Sequence, residues 1–169
     1  MSPSPKRLRL GTLLLAGLGA LHGAVAQAPE DTVQWSASVS APATLKRGST
    51  GAIHLSADVL EGWHVYALAQ PPGGPTPLRI TLADNPIARI AGAASGTAPE
   101  QRHDPSFDLD TRFYPHSFVL SVPITVKPQA VVGAQSIPVD VHFQSCSERT
   151  CLPPKTIRLV VPVTVLAAA

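Results

Sequence analysis

The chain has 169 residues, of which 44% are hydrophobic and 14% charged, with a formal net charge of +2, and its length accommodates one ordinary domain. The excess positive charge comes from the N-terminus. Without Lys6, Arg7 and Arg9, the chain has ten basic and eleven acidic residues, which gives a net charge of −1. No basic patch therefore indicates binding to nucleic acid or to an anionic membrane surface.

The N-terminal segment predicts export. Three basic residues precede an apolar run at 10–25, and Ala24-Val25-Ala26 forms a small-x-small cleavage pattern, which is typical of a secretory signal peptide. The run is short and glycine-rich compared with a membrane span of about 20 residues, so an uncleaved anchor is the weaker alternative. We expect a signal peptide over 1–26, and a periplasmic domain over 27–169 that has no membrane span after cleavage.

Apolar residues alternate with polar ones along most of the mature chain. Each alternating set fits a strand with one buried face, and prolines inside three of them indicate edges or bulges. About seven or eight short strands without a convincing amphipathic helix predict an all-β fold, an immunoglobulin-like β-sandwich, with a closed barrel as the alternative. The sets lie at 33–39, 53–59, 63–68, 78–82, 118–126, 137–143 and 157–165, and the prolines are Pro123, Pro138 and Pro162.

The segment 91–115 breaks this pattern. Its first half is rich in small residues, and its second half carries Phe107, Phe113 and Tyr114 among acids and prolines. A loop of this length inside a compact domain is usually functional or disordered. Exposed aromatic side chains on a loop favour a functional role.

Both cysteines lie in the stretch FQSCSERTCLPPK, residues 143–155. The residues 147–150 predict a turn between two strands, and this turn would bring the α-carbons of Cys146 and Cys151 within disulfide range. Two cysteines in an exported protein most simply pair with each other. The pair can be a local structural brace, part of a metal site or a redox-active couple, and these interpretations stay open at this point.

A brace at this position would contribute little to stability. Closing a loop of about six residues is worth about 2 kcal/mol, against about 4 kcal/mol for a loop of some sixty residues. A zinc or copper site would need both thiolates, His142 and one more histidine. The other candidate histidines are scattered along the chain: His54, His64, His103 and His116.

A redox-active pair requires an accessible thiolate. Arg149 and Lys155 would favour the thiolate, and Glu148 partly opposes them. The two prolines at 153–154 hold the approach to Cys151 extended. A rigid, solvent-facing pair near loop aromatics would suit docking of another redox protein.

The cysteine stretch also resembles a known family. Phe143-Gln144-Ser145-Cys146 and Cys151-Leu152-Pro153-Pro154-Lys155-Thr156 look like the active-site hairpin of the N-terminal periplasmic domain of DsbD, the transmembrane thiol–disulfide interchange protein. Residues 61–66 resemble the acidic-Gly-aromatic strand beside that active site. Residues 113–114 and 117–124 resemble its aromatic cap loop and the strand that follows. The resemblance covers roughly residues 33–165.

The resemblance implies an immunoglobulin-like sandwich and an electron relay without a cofactor or metal. Such a domain accepts electrons from a thioredoxin-like domain and passes them to oxidised periplasmic partners such as disulfide isomerases. This would be a thiol–disulfide oxidoreductase activity of the protein-disulfide reductase type. Cys151 would form the mixed disulfide with the partner, and Cys146 would then resolve it.

The resemblance also implies a cap over the site. Phe113 and Tyr114 would shield the cysteines and swing aside on docking, while Trp63 and Tyr66 would line the site. The acids that precede the cap aromatics in the best-known member are replaced here, and Asp110 is the nearest acidic candidate.

The chain ends at residue 169, without the membrane conduit or the thioredoxin-like domain. We therefore expect thioredoxin-fold redox partners and a transmembrane electron donor of the DsbD type in a separate chain. The alternative function is a non-catalytic β-sandwich binding module, which would use the loop 107–114 and keep the disulfide as a structural brace.

Overall fold

The structure, a computed structural model, describes residues 31–40 and 43–168. The predicted signal peptide, 1–26, and the first residues of the predicted mature domain lie outside the described residues. The described part contains thirteen strands: β1 (Val33–Val39), β2 (Thr44–Lys46), β3 (Thr50–Val59), β4 (Trp63–Tyr66), β5 (Arg79–Leu82), β6 (Ala88–Ile90), β7 (Ser95–Gly96), β8 (Glu100–Asp104), β9 (Leu109–Tyr114), β10 (Phe118–Val126), β11 (Gly133–Phe143), β12 (Ser145–Ser147) and β13 (Lys155–Leu166).

Two sheets form the body of the domain. The first has the order β1-β3-β10-β6, with β7 also pairing with β10, and the second has the order β2-β13-β11-β5. Alternate apolar residues of both sheets meet in one core, as period-two burial requires. This arrangement confirms the predicted all-β, immunoglobulin-like sandwich. Fully buried members of the core include Ile53, Leu55, Leu120, Ile124, Ile137, Val139, Val141 and Val161.

A third sheet, with the order β12-β4-β9-β8, lies at the edge of the sandwich and carries Cys146, to which an isolated β-bridge joins Cys151. One face of this sheet belongs to the main core through Val65 and Tyr114. A buried hydrogen bond of 2.7 Å between the hydroxyls of Thr32 and Ser145 also fixes β12 to the start of β1. No helix within residues 31–40 and 43–168 is long and apolar enough to cross a membrane.

The prediction of a long loop with exposed aromatics at 91–115 is wrong. The segment contains β7 and a β-hairpin, β8–β9, in which Asp104 pairs with Leu109. Phe113 and Tyr114 are both buried, because β9 also pairs with β4. The aromatic residues of this segment are thus held by a sheet instead of standing on a flexible loop.

The three strand prolines lie where a neighbouring strand stops. The carbonyl of Pro123 accepts from Ala91, just past β6, and the carbonyl of Pro138 accepts from Ala83, just past β5. The nitrogen and the carbonyl of one strand residue point to the same side of the strand. The proline nitrogens, which lack an N–H group, therefore face the positions where β6 and β5 have ended. Pro162 precedes residue 164, where the pairing with β2 begins. The proline pattern therefore marks local edges inside long strands.

Candidate functional site

The two cysteines form a disulfide across a tight hairpin. Their α-carbons are 4.0 Å apart and their sulfurs 2.08 Å apart. The hydroxyl of Ser147 accepts from the amides of Arg149 and Thr150, and the amide of Ser147 donates to the carbonyl of Thr150 at 2.8 Å. These bonds close the predicted turn, and the predicted Cys146–Cys151 pairing is confirmed.

The register of the third sheet decides which side chains meet the disulfide. Cys146 pairs with His64, and Tyr66 pairs with Phe113. Directly paired residues of antiparallel strands project to the same face, and so do residues two apart on one strand. These four side chains therefore share one face of the sheet, which we call the site face.

An aromatic cap covers the disulfide on the site face. Cys146, Tyr66 and Phe113 pack into a small cluster separate from the main core, and Phe107 and Cys151 pack against it. Cys146 is 1% exposed, whereas Cys151 is only partly buried. The expectation of a solvent-facing pair thus fails for Cys146, because the cap closes over its side of the hairpin.

A buried carboxylate fastens the cap hairpin to the strand beside the cysteines. Oδ2 of Asp104 accepts a hydrogen bond of 2.7 Å from the Tyr66 hydroxyl and one of 3.3 Å from Thr111, while Oδ1 accepts from the amide of Ser106 at 2.9 Å. Burial opposes ionisation of this carboxyl, but its hydrogen bonds outweigh burial, so the pKa of Asp104 lies below its ordinary value. Burial and the same hydrogen bond raise the pKa of Tyr66 far above its usual range.

His64 lies between the cap and the cysteine hairpin. Its ring meets the rings of Tyr66 and Phe113 edge-on, with both centroid distances at 5.1 Å. Burial, helped by the positive charge of Arg102 and only partly opposed by Asp104, lowers the pKa of His64 to about 4. The imidazole is therefore neutral at physiological pH.

Arg102 completes the outer side of the cap. Its guanidinium carbon lies 4.4 Å from the ring centroid of Phe113, a cation–π distance. Two grooves flank this point, with volumes of about 460 Å³ and 330 Å³. Both are bordered by His64, Arg102, Ser147 and Glu148, so solvent reaches His64 through two grooves.

The remaining predicted site residues lie elsewhere on the third sheet. Tyr114 points into the main core, where its ring stacks on that of Phe118 at 4.0 Å. Trp63 is adjacent to His64 in β4, so its side chain projects to the opposite face of the strand. It nevertheless borders the larger groove. Asp110 is exposed, 3.7 Å from His103, and alternates away from the face that holds Phe113. Of the predicted lining, the structure brings Tyr66 and Phe113 to the cysteines.

Sequence reasoning missed His64, Arg102 and Asp104 as site residues. The sequence singles out His64 as a scattered metal-ligand candidate and as a member of the strand 61–66, but it gives no sign that His64 pairs directly with Cys146. One local signal pointed to Asp104: an Asp followed by Pro-Ser is a typical turn start, where the carboxylate bonds backbone two residues on. Among the described residues, no group of three or more His, Cys, Asp or Glu side chains is placed to hold a metal ion.

The sandwich and the capped cysteine hairpin define a disulfide-bearing domain of the immunoglobulin-like class. Residues 32–161 match the family described as "Thiol:disulfide interchange protein DsbD, N-terminal". The chain therefore belongs to the DsbD N-terminal domain family. This membership and the bonded cysteine pair support thiol–disulfide exchange.

Two N-terminal domains are among the solved structures that are similar to this chain. The N-terminal periplasmic domain of ScsB from Proteus mirabilis is 15% identical, with a TM-score of 0.51, over 79% of this chain and 47% of that one. The DsbD N-terminal domain of Neisseria meningitidis in the reduced form is 17% identical, with a TM-score of 0.48, over 66% of this chain and 77% of that one. At this identity the ScsB likeness concerns the fold alone. No curated protein matches the chain.

Proposed function

We propose that this protein is an exported periplasmic domain that relays electrons through the Cys146–Cys151 pair. It receives them from the thioredoxin-like domain of a DsbD-type transmembrane protein and delivers them to oxidised thioredoxin-fold partners. The observation that carries this proposal is the disulfide itself, which closes a short hairpin with one cysteine buried under an aromatic cap and the other partly open.

The relay consists of two exchanges that balance in sulfur and electrons. In the first, a donor thiolate attacks Cys151, the disulfide breaks, and Cys146 leaves as a thiolate. The second donor thiol then attacks the mixed disulfide, which releases Cys151 and leaves the donor oxidised. In the second exchange, the Cys151 thiolate attacks the acceptor disulfide, and Cys146 displaces the reduced acceptor by re-forming the intramolecular bond.

Burial supports this division of roles between the sulfurs. A visiting thiol needs a line of approach, and Cys151 is partly exposed whereas Cys146 is 1% exposed. Pro153 and Pro154, both exposed, hold the chain beyond Cys151 extended and lack amide donors. We therefore assign partner contact to Cys151 and resolution to Cys146.

The cap limits access until a partner docks. Phe113 and Phe107 pack over the cysteine cluster, so their displacement exposes the disulfide, and Tyr66 remains as its lining. Tyr114 has no such role in this proposal, because its ring is fixed in the main core.

Trapping the mixed disulfide tests the relay. The partner is a thioredoxin-fold protein whose second active-site cysteine is replaced by serine and whose first is supplied as a mixed disulfide with nitrothiobenzoate. Attack by a cysteine of this protein then expels nitrothiobenzoate, and the partner has no thiol left to resolve the complex. Cys146→Ser should accumulate a covalent complex through Cys151, and Cys151→Ser should not. Capture by Cys151→Ser alone would reverse the assigned roles, and capture by neither variant would contradict the relay.

Export is part of the proposal and rests on the N-terminal sequence. Cleavage after Ala26 would release a domain that starts at Gln27. Cell fractionation followed by N-terminal sequencing of the recovered protein tests it. A cytoplasmic protein that retains Met1 would contradict it.

Burial of Cys146 favours one alternative, a binding module with a structural disulfide. Under that alternative the bridge resists reduction, with a potential below about −300 mV and negligible exchange with thioredoxin-fold proteins. The relay requires a higher potential and measurable exchange, so one redox titration against glutathione separates the two functions.

A further inference from the structure

His64 lies directly across the sheet from Cys146, the cysteine whose thiol loses a proton in the proposed resolution step. It pairs in register with Cys146, and directly paired residues of antiparallel strands hold their Cβ atoms about 5 Å apart on one face. Its ring also contacts Phe113 and Tyr66, the two aromatic residues that pack with Cys146. The imidazole therefore belongs to the immediate surroundings of the buried sulfur.

Resolution of a mixed disulfide requires the thiolate, not the thiol. Apolar surroundings disfavour a charged group, and the neighbours of Cys146 are mainly aromatic. A neutral base beside this cysteine would remove the difficulty, because it takes the proton as the sulfur attacks.

We propose that the imidazole of His64 accepts the proton of the Cys146 thiol when Cys146 resolves the mixed disulfide at Cys151. This role deepens the proposed relay and rests on it. In the step, the S–H bond of Cys146 breaks and an N–H bond forms on His64. The bond between the sulfurs of Cys146 and Cys151 forms as the bond between Cys151 and the partner sulfur breaks, and the partner leaves as a thiolate. In the reverse step, His64 returns the proton to Cys146.

The other ionisable groups around His64 are less suited to this role. Asp104 faces it from β8, but its oxygens are engaged by Tyr66, Thr111 and Ser106. Tyr66 is itself a hydrogen-bond donor to that carboxylate, and Arg102 is a permanent cation. The remaining groups line the two grooves with His64: His103, His116, Glu148 and Arg149.

The surroundings of His64 also give its proton an exit. While the cap is closed, the imidazole is neutral, because burial lowers the pKa of His64 to about 4. Displacing the cap relieves that burial, which makes His64 a stronger base when a partner is bound. His64 borders both grooves, so the accepted proton can pass to water.

Stopped-flow kinetics of the reduced protein with a chromogenic nitrobenzoate disulfide tests the role. Attack by Cys151 releases one coloured thiolate, and resolution by Cys146 releases a second, so the two steps are read separately. His64→Gln should slow the second release at least about tenfold near neutral pH and leave the first within about twofold. At a pH above about 9 the thiol ionises unaided, and the two proteins should converge.

Matched controls separate base catalysis from a structural effect. His54→Gln removes an imidazole on β3 that bonds Ser40 and should leave both releases unchanged. A His64→Gln protein that keeps the wild-type second rate would overturn the proposal, and so would equal slowing at every pH. If neither cysteine releases the chromophore even in the wild type, the relay itself falls, and the role of His64 falls with it.

The wild-type protein provides a test that no folding defect can obscure. With His64 as the base, the second release should level off over roughly pH 7 to 8, before the thiol ionises on its own. An unassisted thiol would instead give a rate that rises about tenfold per pH unit across the same interval, and that result would overturn the proposal.

Discussion

The hydroxyl of Tyr66 donates a hydrogen bond of 2.7 Å to Oδ2 of Asp104, and this contact joins the strand beside the cysteines to the cap hairpin. Asp104 is the last residue of β8, and the turn that follows carries Phe107. The bond therefore ties the cap hairpin to β4, and opening of the cap requires either that this hydrogen bond break or that Tyr66 move with the hairpin.

Asp104→Asn should loosen the cap. The variant keeps the shape but replaces a charged acceptor, and the loss should be about 2 kcal/mol of unfolding free energy. Reduction of the disulfide by a small phosphine should become several-fold faster, as followed by thiol titration. Asp110→Asn, at an exposed position of the same hairpin, is the control and should change neither quantity.

Phe113→Ala should expose the buried sulfur. Removing a buried phenyl ring costs about 3 kcal/mol or more, so stability alone cannot identify a cap. Phe118→Ala removes a ring of similar burial in the main core and serves as the comparison. Faster reduction of the disulfide in native conditions should follow from the Phe113 change only, and equal rates in the two variants would contradict a shielding role.

His64 should make the protein less stable in mild acid. The unfolded imidazole binds a proton near pH 6.5, but burial delays protonation in the folded protein to about pH 4. Between these values the unfolded state binds more protons, so unfolding free energy falls as the pH drops from about 6.5 to 4. Urea unfolding across this window should show a flatter dependence for His64→Gln than for His54→Gln or the wild type.

Breaking the disulfide should cost little stability. The bridge closes a loop of only about six residues, which limits its contribution to about 2 kcal/mol. The Cys146→Ser, Cys151→Ser double variant should therefore remain folded by circular dichroism and lose about that amount in urea unfolding. A loss as large as that of a bridge joining distant segments would favour a structural brace.

The sandwich was predictable because its strands bury one face against a large core. Alternation at 118–126 coincides with β10, and alternation at 53–59 lies inside β3. The strand β8, whose sequence is Glu-Gln-Arg-His-Asp, gave no such signal, because all but its last residue are exposed. This strand forms because it pairs with β9, and hydrophobic periodicity within one segment does not reveal pairing with another segment.

The sequence predicts only the part of the site that is formed by residues close together along the chain. Cys146 and Cys151 are five residues apart, and a turn brings them together. The neighbours of the disulfide depend on the registers of β12 with β4 and of β4 with β9, and a shift of one residue would exchange the two faces. This is why adjacent Phe113 and Tyr114, read together in the sequence, have opposite surroundings.

The two faces of β4 have different neighbours, and this difference bears on how the domain can diversify. Val65 is committed to the sandwich interior, whereas His64 and Tyr66 belong to the cysteine surroundings. A change at His64 or Tyr66 therefore alters the surroundings of the disulfide without removing a side chain from the main core. Design of altered partner specificity can for that reason be directed at one side of a single strand.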